Sequence, residues 1–222
     1  MPTLGLVHNS PMLAGVFNEI AARVMPDVRI LHFVDESTIK NTIAAGHLQK
    51  STMRQVIRLV GSTFDAGCDV AMVTCSSIGR AVEMAAELYD QPVLRVDRAM
   101  AEQAVASAQR IGVVATLPTT LDPTADLVRR VAAEQGKDIE LVAHLCQGAF
   151  DAVMAGDGAT HDRIVGEALT TALADVDAIV LAQASMARVV ASLPEGAVKA
   201  PVLSSPELGM LRAAEVFKSL GQ

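Results

Sequence analysis

The chain has no tryptophan, a single tyrosine and only 3% aromatic residues, so it lacks the stacking platforms on which single-stranded nucleic acids are held. Basic residues are scarce too. Eighteen Lys and Arg stand against 25 Asp and Glu, for a net charge of −7, and phosphate binding needs a basic surface. No polybasic run is available for an anionic membrane. Cysteine is limited to Cys68, Cys75 and Cys146. Three thiols in 222 residues make no disulfide framework, which predicts a cytoplasmic protein. No Cys-x-x-Cys or clustered Cys/His spacing marks a metal site, and none is expected. Residues 1–18 carry no charged side chain, but no basic residues precede the apolar stretch and His8-Asn9-Ser10-Pro11 interrupts it, so it reads as strand, turn and helix start rather than a signal or spanning segment. Charged residues amount to 19% and apolar ones to 51%, which excludes a disordered chain.

Short, continuous apolar runs alternate with longer helical patterns. The predicted strands are Leu4–His8, Val28–Val34, Asp69–Cys75, Pro92–Asp97, Arg110–Thr116, Ile139–Leu145, Asp177–Gln183 and Pro201–Ser204. Continuous rather than alternating runs fit parallel strands buried on both faces. Between them, Asp122-Pro123 predicts a capped helix over residues 123–135 that Gly136 stops. A helical stretch from about Ile39 to Phe64 should break near Gly46, and Ser205-Pro206 opens a last helix. Strands separated by helices specify an α/β fold.

The sequence also repeats itself. Leu4-Gly5-Leu6-Val7 resembles Ile111-Gly112-Val113-Val114 at an offset of 107, Asp69–Ser76 resembles Asp177–Ala184 at 108, and Pro92-Val93-Leu94 matches Pro201-Val202-Leu203 at 109. Three strands in one order at nearly one offset predict two pseudo-symmetric α/β lobes, each a parallel sheet flanked by helices: residues 1–108 plus 206–222, and residues 109–205. Ligands of open α/β sheets bind beyond the carboxyl ends of the strands. The expected site therefore lies in a cleft between the lobes, lined by His8-Asn9-Ser10, Cys75-Ser76-Ser77, Thr116 to Thr120 and Gln183-Ala184-Ser185. These segments are small and hydroxylated or amide-bearing, and sit where helix amino ends offer free N–H groups to a carboxylate. Each of these residues could also be a plain helix cap. A helix amino end lowers a thiol's pKa, so Cys75 is expected to be the reactive cysteine, with a packed, inert thiol as the alternative.

The segment Val73-Thr74-Cys75-Ser76-Ser77, the Pro92-Val93 strand leading to Val96-Asp97-Arg98-Ala99-Met100, and Gly112-Val113-Val114-Ala115-Thr116 resemble the aspartate/glutamate/hydantoin racemase superfamily over almost the whole chain. The resemblance implies a cofactor-independent enzyme, an isomerase acting on a small carboxylate, commonly a homodimer. It also implies two cysteines, one per lobe, on opposite faces of the substrate α-carbon. Cys75 matches the first. The second falls on Gln183, whose amide does not titrate and so cannot be an acid or base, though it can polarise an oxygen. By the repeat, Cys146 ends a different strand and lies away from this pair. His8 or His144 could replace the missing base, Cys75 could act as nucleophile, or it could protonate a carbanion left by decarboxylation of a malonate-type acid. The chain could also be a non-catalytic small-acid binder. The expected catalytic pair is Cys75 and Gln183. The expected substrate contacts are Asn9, Ser10, Ser76, Ser77, Thr116, Thr119, Ala184 and Ser185.

Overall fold

The computed structural model describes residues 1–221. Its contacts divide into two units, Met1–Ala99 with Pro206–Gln222, and Met100–Ser205. In the first, β1 (Thr3–His8), α1 (Leu13–Val24), β2 (Arg29–Val34), α2 (Ser37–Ala45), α3 (Lys50–Asp65), β3 (Val70–Val73), α4 (Gly79–Leu88) and β4 (Val93–Arg95) follow in order. Helix α5 (Arg98–Ser107) carries the chain into the second unit. There β5 (Arg110–Ala115), α6 (Pro118–Glu134), β6 (Glu140–Leu145), α7 (Ala149–Met154), α8 (Gly158–Glu167), β7 (Ala178–Leu181), α9 (Ala187–Ser192) and β8 (Val202–Ser204) follow, and α10 (Ser205–Ser219) closes the described chain. Of the eight strands among the described residues, seven fall inside the predicted runs, and β1 begins one residue ahead of its run, at Thr3.

Both sheets are parallel and share one topology, β2-β1-β3-β4 and β6-β5-β7-β8. The first sheet is buried on both faces, as its apolar runs require. Leu4, Leu6, Val70 and Met72 meet Phe17 and Ile20 of α1 and Met210, Ala213 and Phe217 of α10. Val7, Ala71 and Val73 face Val56 and Val60 of α3 and Ala81, Val82 and Ala85 of α4. Helix α3 buries Thr52, Val56, Val60 and Thr63, a stripe at helical spacing. In the second unit Val114, Ile179 and Leu181 pack on Val165, Leu169 and Val189.

The internal repeat extends to individual hydrogen bonds. Asp69 and Asp177 each stand just ahead of the inner strand and accept from a neighbouring backbone amide: Thr3 N–H at 2.8 Å in one unit, Arg110 N–H at 2.7 Å in the other. At the far ends Thr74 N–H donates to Val7 O and Ala182 N–H to Val114 O, both at 3.0 Å.

Two helix boundaries show what terminates these elements. Gly46, at φ +70°, caps α2 in the left-handed conformation and separates it from α3. Helix α6 does not start at Pro123: it starts at Pro118, which takes the first helical position, and Pro123 lies inside it. Pro123 is the sixth residue of this helix, past its free amino end, so it has no N–H to offer the Thr119 carbonyl one turn back. No helix among the described residues is long and apolar enough to cross a membrane.

Candidate active site

Each sheet reverses its strand order between its two inner strands, the switch point beyond which α/β sheets bind ligands. In the first unit this point lies between the carboxyl ends of β1 and β3. There Asn9 Nδ2 donates to Cys75 Sγ at 3.0 Å. Cys75 is extended (φ −132°, ψ 118°) and leads directly into a short helical turn, Ser76–Ile78, ahead of α4. Cys75, Ser76 and Ser77 are all buried, and Asn9 and Ser10 partly so. The N–H groups of Ser77 and Ile78 and the Ser77 hydroxyl are directed at the sulfur.

The helix-end argument alone predicts an acidified thiol, and the structure corrects it. Burial outweighs the donors: desolvation, helped by the Asp97 carboxylate, pushes the Cys75 thiol up to about 11. Removing a thiolate from water costs more here than three donors and one Asn return. At neutral pH Cys75 therefore rests as a thiol, with donors in place to receive the thiolate once it has given up its proton. Cys146 is likewise pushed up by burial to about 11. It follows β6, which is separated from β7 by β5, about 10 Å from the end of β7 at one strand spacing per step. Cys68 sits against Gly5 in the core, and burial raises its pKa as well.

The second unit reproduces the arrangement with different chemistry. Gln183 occupies the position of Cys75, extended (φ −130°, ψ 129°) and followed by the turn Ala184–Met186. Thr116 occupies the position of Asn9. Its backbone N–H donates to Gln183 Oε1 at 2.6 Å and its hydroxyl to the same oxygen at 3.0 Å. An amide N–H can only donate, so Oε1 is the end turned inward and the Nε2 amino group is the end left to offer hydrogens. Gln183 and Ala184 are half-buried, and Ser185 is exposed where its counterpart Ser77 is buried. Thr119 lies in the first turn of α6, and its buried hydroxyl makes no hydrogen bond among the described residues.

Two clusters escaped the sequence reading. His8 is buried with both ring nitrogens engaged: Nδ1 lies 2.8 Å from Thr74 Oγ1 and Nε2 lies 2.9 Å from Nδ1 of His32. Nε2 of His32 in turn lies 3.0 Å from Asn18 Oδ1. Burial, then the neighbouring His32, lowers the His8 pKa to about 4. His8 is thus committed to a structural chain across three strands. The other cluster is ionic: Arg95 Nε and Nη2 donate to the two carboxylate oxygens of Asp97 at 2.9 and 2.8 Å, and Arg95 Nη1 pairs with Glu83. Its signal in the sequence is two opposite charges inside an otherwise apolar strand run, Arg95-Val96-Asp97.

Similarity to known proteins agrees with this geometry. The chain resembles a glutamate racemase from Bacillus anthracis (18% identity, TM-score 0.74, covering 99% of this chain and 83% of that one). It also resembles a glutamate racemase from Francisella tularensis in complex with D-glutamate (15%, TM-score 0.73, 99% and 80%). A third similar structure is an allantoin racemase from Klebsiella pneumoniae (18%, TM-score 0.69, 100% and 89%). No curated protein matches the sequence. The family described as Asp/Glu/Hydantoin racemase matches residues 9–213, nearly the full length over which the two sheets repeat, and the chain belongs to that family.

Proposed function

We propose that this protein is a cofactor-independent, racemase-type enzyme that moves a proton at the α-carbon of a small carboxylate, with Cys75 as the reacting group. The observation that carries this is the paired bond at the two switch points: Asn9 to Cys75 and Thr116 to Gln183. One frame is built twice, and only one copy presents a group that can carry a proton.

In this reading Asn9, Ser76, Ser77, Thr116 and Thr119 hold carboxylate oxygens through hydroxyl, side-chain amide and backbone N–H groups. Ser10, Ala184 and Ser185 complete the surrounding turns. Nε2 of Gln183 donates to an oxygen that gains charge as the α-carbon loses its proton. Electrostatic stabilisation of this kind is worth several kcal/mol in a site closed to water. Cys75 first releases its proton to solvent; the small thiolate fraction then takes the α-proton, the electron pair passes into the carboxylate, and the thiol so formed exchanges with water and returns a proton to the same carbon. Gln183 supplies no proton to the opposite face, so hydrogen exchange should outrun inversion.

The resting thiol favours a second reading. In a malonate-type acid the bond to one carboxyl group would break, carbon dioxide would leave, and the pair left on carbon would take the Cys75 proton. A cytoplasmic location and a homo-oligomer belong to the same proposal and rest on cysteine content and family membership.

Incubating a panel of small amino and dicarboxylic acids in heavy water, followed by NMR, tests the assignment. Deuterium should enter the α-position of at least one acid, and Cys75→Ala should abolish the exchange while retaining most of the affinity. Carbon dioxide release with a single deuterium in the product would select the second reading. Exchange that survives Cys75→Ala, or binding across the panel with no chemistry at all, would overturn the role of Cys75.

A further inference from the structure

The two units match in topology, in the aspartates before their inner strands and in the bonds at their switch points, so a feature present in only one of them needs its own reason. The buried ionic cluster is such a feature. Strand register places Arg95 beside Val73, and places Ser204 beside Leu181 at the equivalent point. The offset of 108 pairs Gly79 with Ala187 and Glu83 with Ala191, and the offset of 109 pairs Asp97 with Pro206. Every member of the cluster therefore has an uncharged counterpart in the unit that carries Gln183. Two charges at 8% and 1% exposure are costly to desolvate, and hydrophobic replacement of such pairs is often neutral or stabilising. Stability alone gives no reason for them.

Their placement ties them to Cys75. The Arg95 guanidinium lies against Gly79, the first residue of α4, where an added Cβ would collide with its carbon and both terminal nitrogens. Gly79 directly follows the turn Ser76–Ile78 whose N–H groups are aimed at the thiol. Arg95 also fixes the Asp97 carboxylate through two bonds. Two residues on from the paired Val73 and Arg95, Cys75 and Asp97 follow the adjoining carboxyl ends of β3 and β4, and the Asp97 carboxylate there raises the pKa of the thiol. Just past β1, the polar group that reaches the thiol is the neutral Asn9, while His8 is turned to Thr74 and His32.

We infer that Glu83, Arg95 and Asp97 form a positioning cluster for Cys75: Arg95 holds the turn that carries the thiol and fixes beside it the Asp97 carboxylate, whose charge governs how firmly Cys75 holds the proton it exchanges. The inference rests on the proposed role of Cys75 and adds residues that act through it without touching substrate.

The test is the rate of iodoacetamide labelling of Cys75 from pH 6 to 11, followed by peptide mapping, with Cys146 as the internal reference. Midpoint and plateau report different things: a loosened structure raises the plateau, whereas a removed charge moves the midpoint. Asp97→Asn should lower the Cys75 midpoint, giving about three- to tenfold faster labelling at pH 8, with Cys146 unchanged. Asp97→Glu keeps the charge and should not lower the midpoint. An unchanged midpoint in Asp97→Asn, or equal shifts in the Asn and Glu variants, overturns the inference. If Asp97→Asn fails to fold, Glu83→Gln removes a more exposed carboxylate of the same cluster. It should shift the midpoint the same way by a smaller amount, and no shift there also overturns the inference. Labelling needs no substrate. A null result here with exchange still lost in Cys75→Ala would sink the cluster and leave the proposed function standing, and the converse pattern would do the reverse.

Discussion

Replacing His8 by Asn should flatten the acid side of the stability profile, by an amount the structure sets. The His8 ring is 1% exposed, lies 5.4 Å from the Phe17 ring and stacks 5.1 Å from His32. Its pKa falls from 6.5 to about 4, so the folded protein binds this proton far less readily than the unfolded chain. The contribution is therefore fully present above pH 6.5. It is lost as pH falls from 6.5 towards 4, at about 1.4 kcal/mol per pH unit, and the total is about 3 kcal/mol. At pH 7 the variant should be less stable than the native protein by about 1–3 kcal/mol, because Thr74 and His32 lose a buried partner. Between pH 7 and 4 the two stability curves should converge, since the carboxylates titrate alike in both proteins and cancel in the difference. Urea unfolding at half-unit intervals of pH measures this. Parallel curves would refute the reasoning and mean that His8 accepts its proton in the folded state at an ordinary pH.

Thr116→Val removes the 3.0 Å hydroxyl bond to Gln183 and leaves the 2.6 Å backbone bond. It should cost about 1 kcal/mol of stability and lower kcat more than it raises KM, as the Gln183 amide gains freedom to turn away from the oxygen that gains charge; steady-state kinetics on the substrate found in heavy water would show the split. Gln183→Cys installs a titratable group at the counterpart of Cys75. Optical rotation followed alongside deuterium uptake should then show inversion catching up with exchange, and a variant that gains nothing would mean that position 183 does not face the reacting carbon. Gly5→Ala places a Cβ 2.7 Å from the Thr63 Cβ and 3.0 Å from the Cys68 sulfur. Overpacking of this kind between β1 and α3 should cost about 1–3 kcal/mol, read as a lower thermal midpoint.

The strands were legible because buried parallel strands leave an unmistakable trace: runs such as Val70–Val73 and Ala178–Leu181 have no polar face to alternate with. The repeat was legible for the same reason, since the same runs recur in the same order. The start of α6 was not. Pro118 and Pro123 are both plausible first residues, and the choice depends on where β5 ends. The chain from Thr74 through His8 to His32 depends on β1 lying between β2 and β3, which brings together residues 66 and 24 positions apart. No local pattern carries that. The state of Cys75 was misjudged because a helix-end argument is local, while desolvation is set by every residue that closes over the sulfur. Gln183 was found by counting along the repeat, but the direction its amide faces required the two bonds from Thr116.

The first unit is discontinuous. Its core closes only when Met210, Ala213 and Phe217 of α10 reach Leu4, Phe17 and Met72, and the 106 residues of Met100–Ser205 intervene. A ribosome adding about 5–20 residues per second needs about 5–20 s to make that stretch. Throughout that interval the nascent first unit presents an unfinished apolar face, while the second, continuous in sequence, emerges with all four of its strands. During synthesis the half bearing Cys75 starts first and finishes last. A chaperone that shields the Leu4, Phe17 and Met72 surface would therefore govern the yield of native protein more than any aid to the second half.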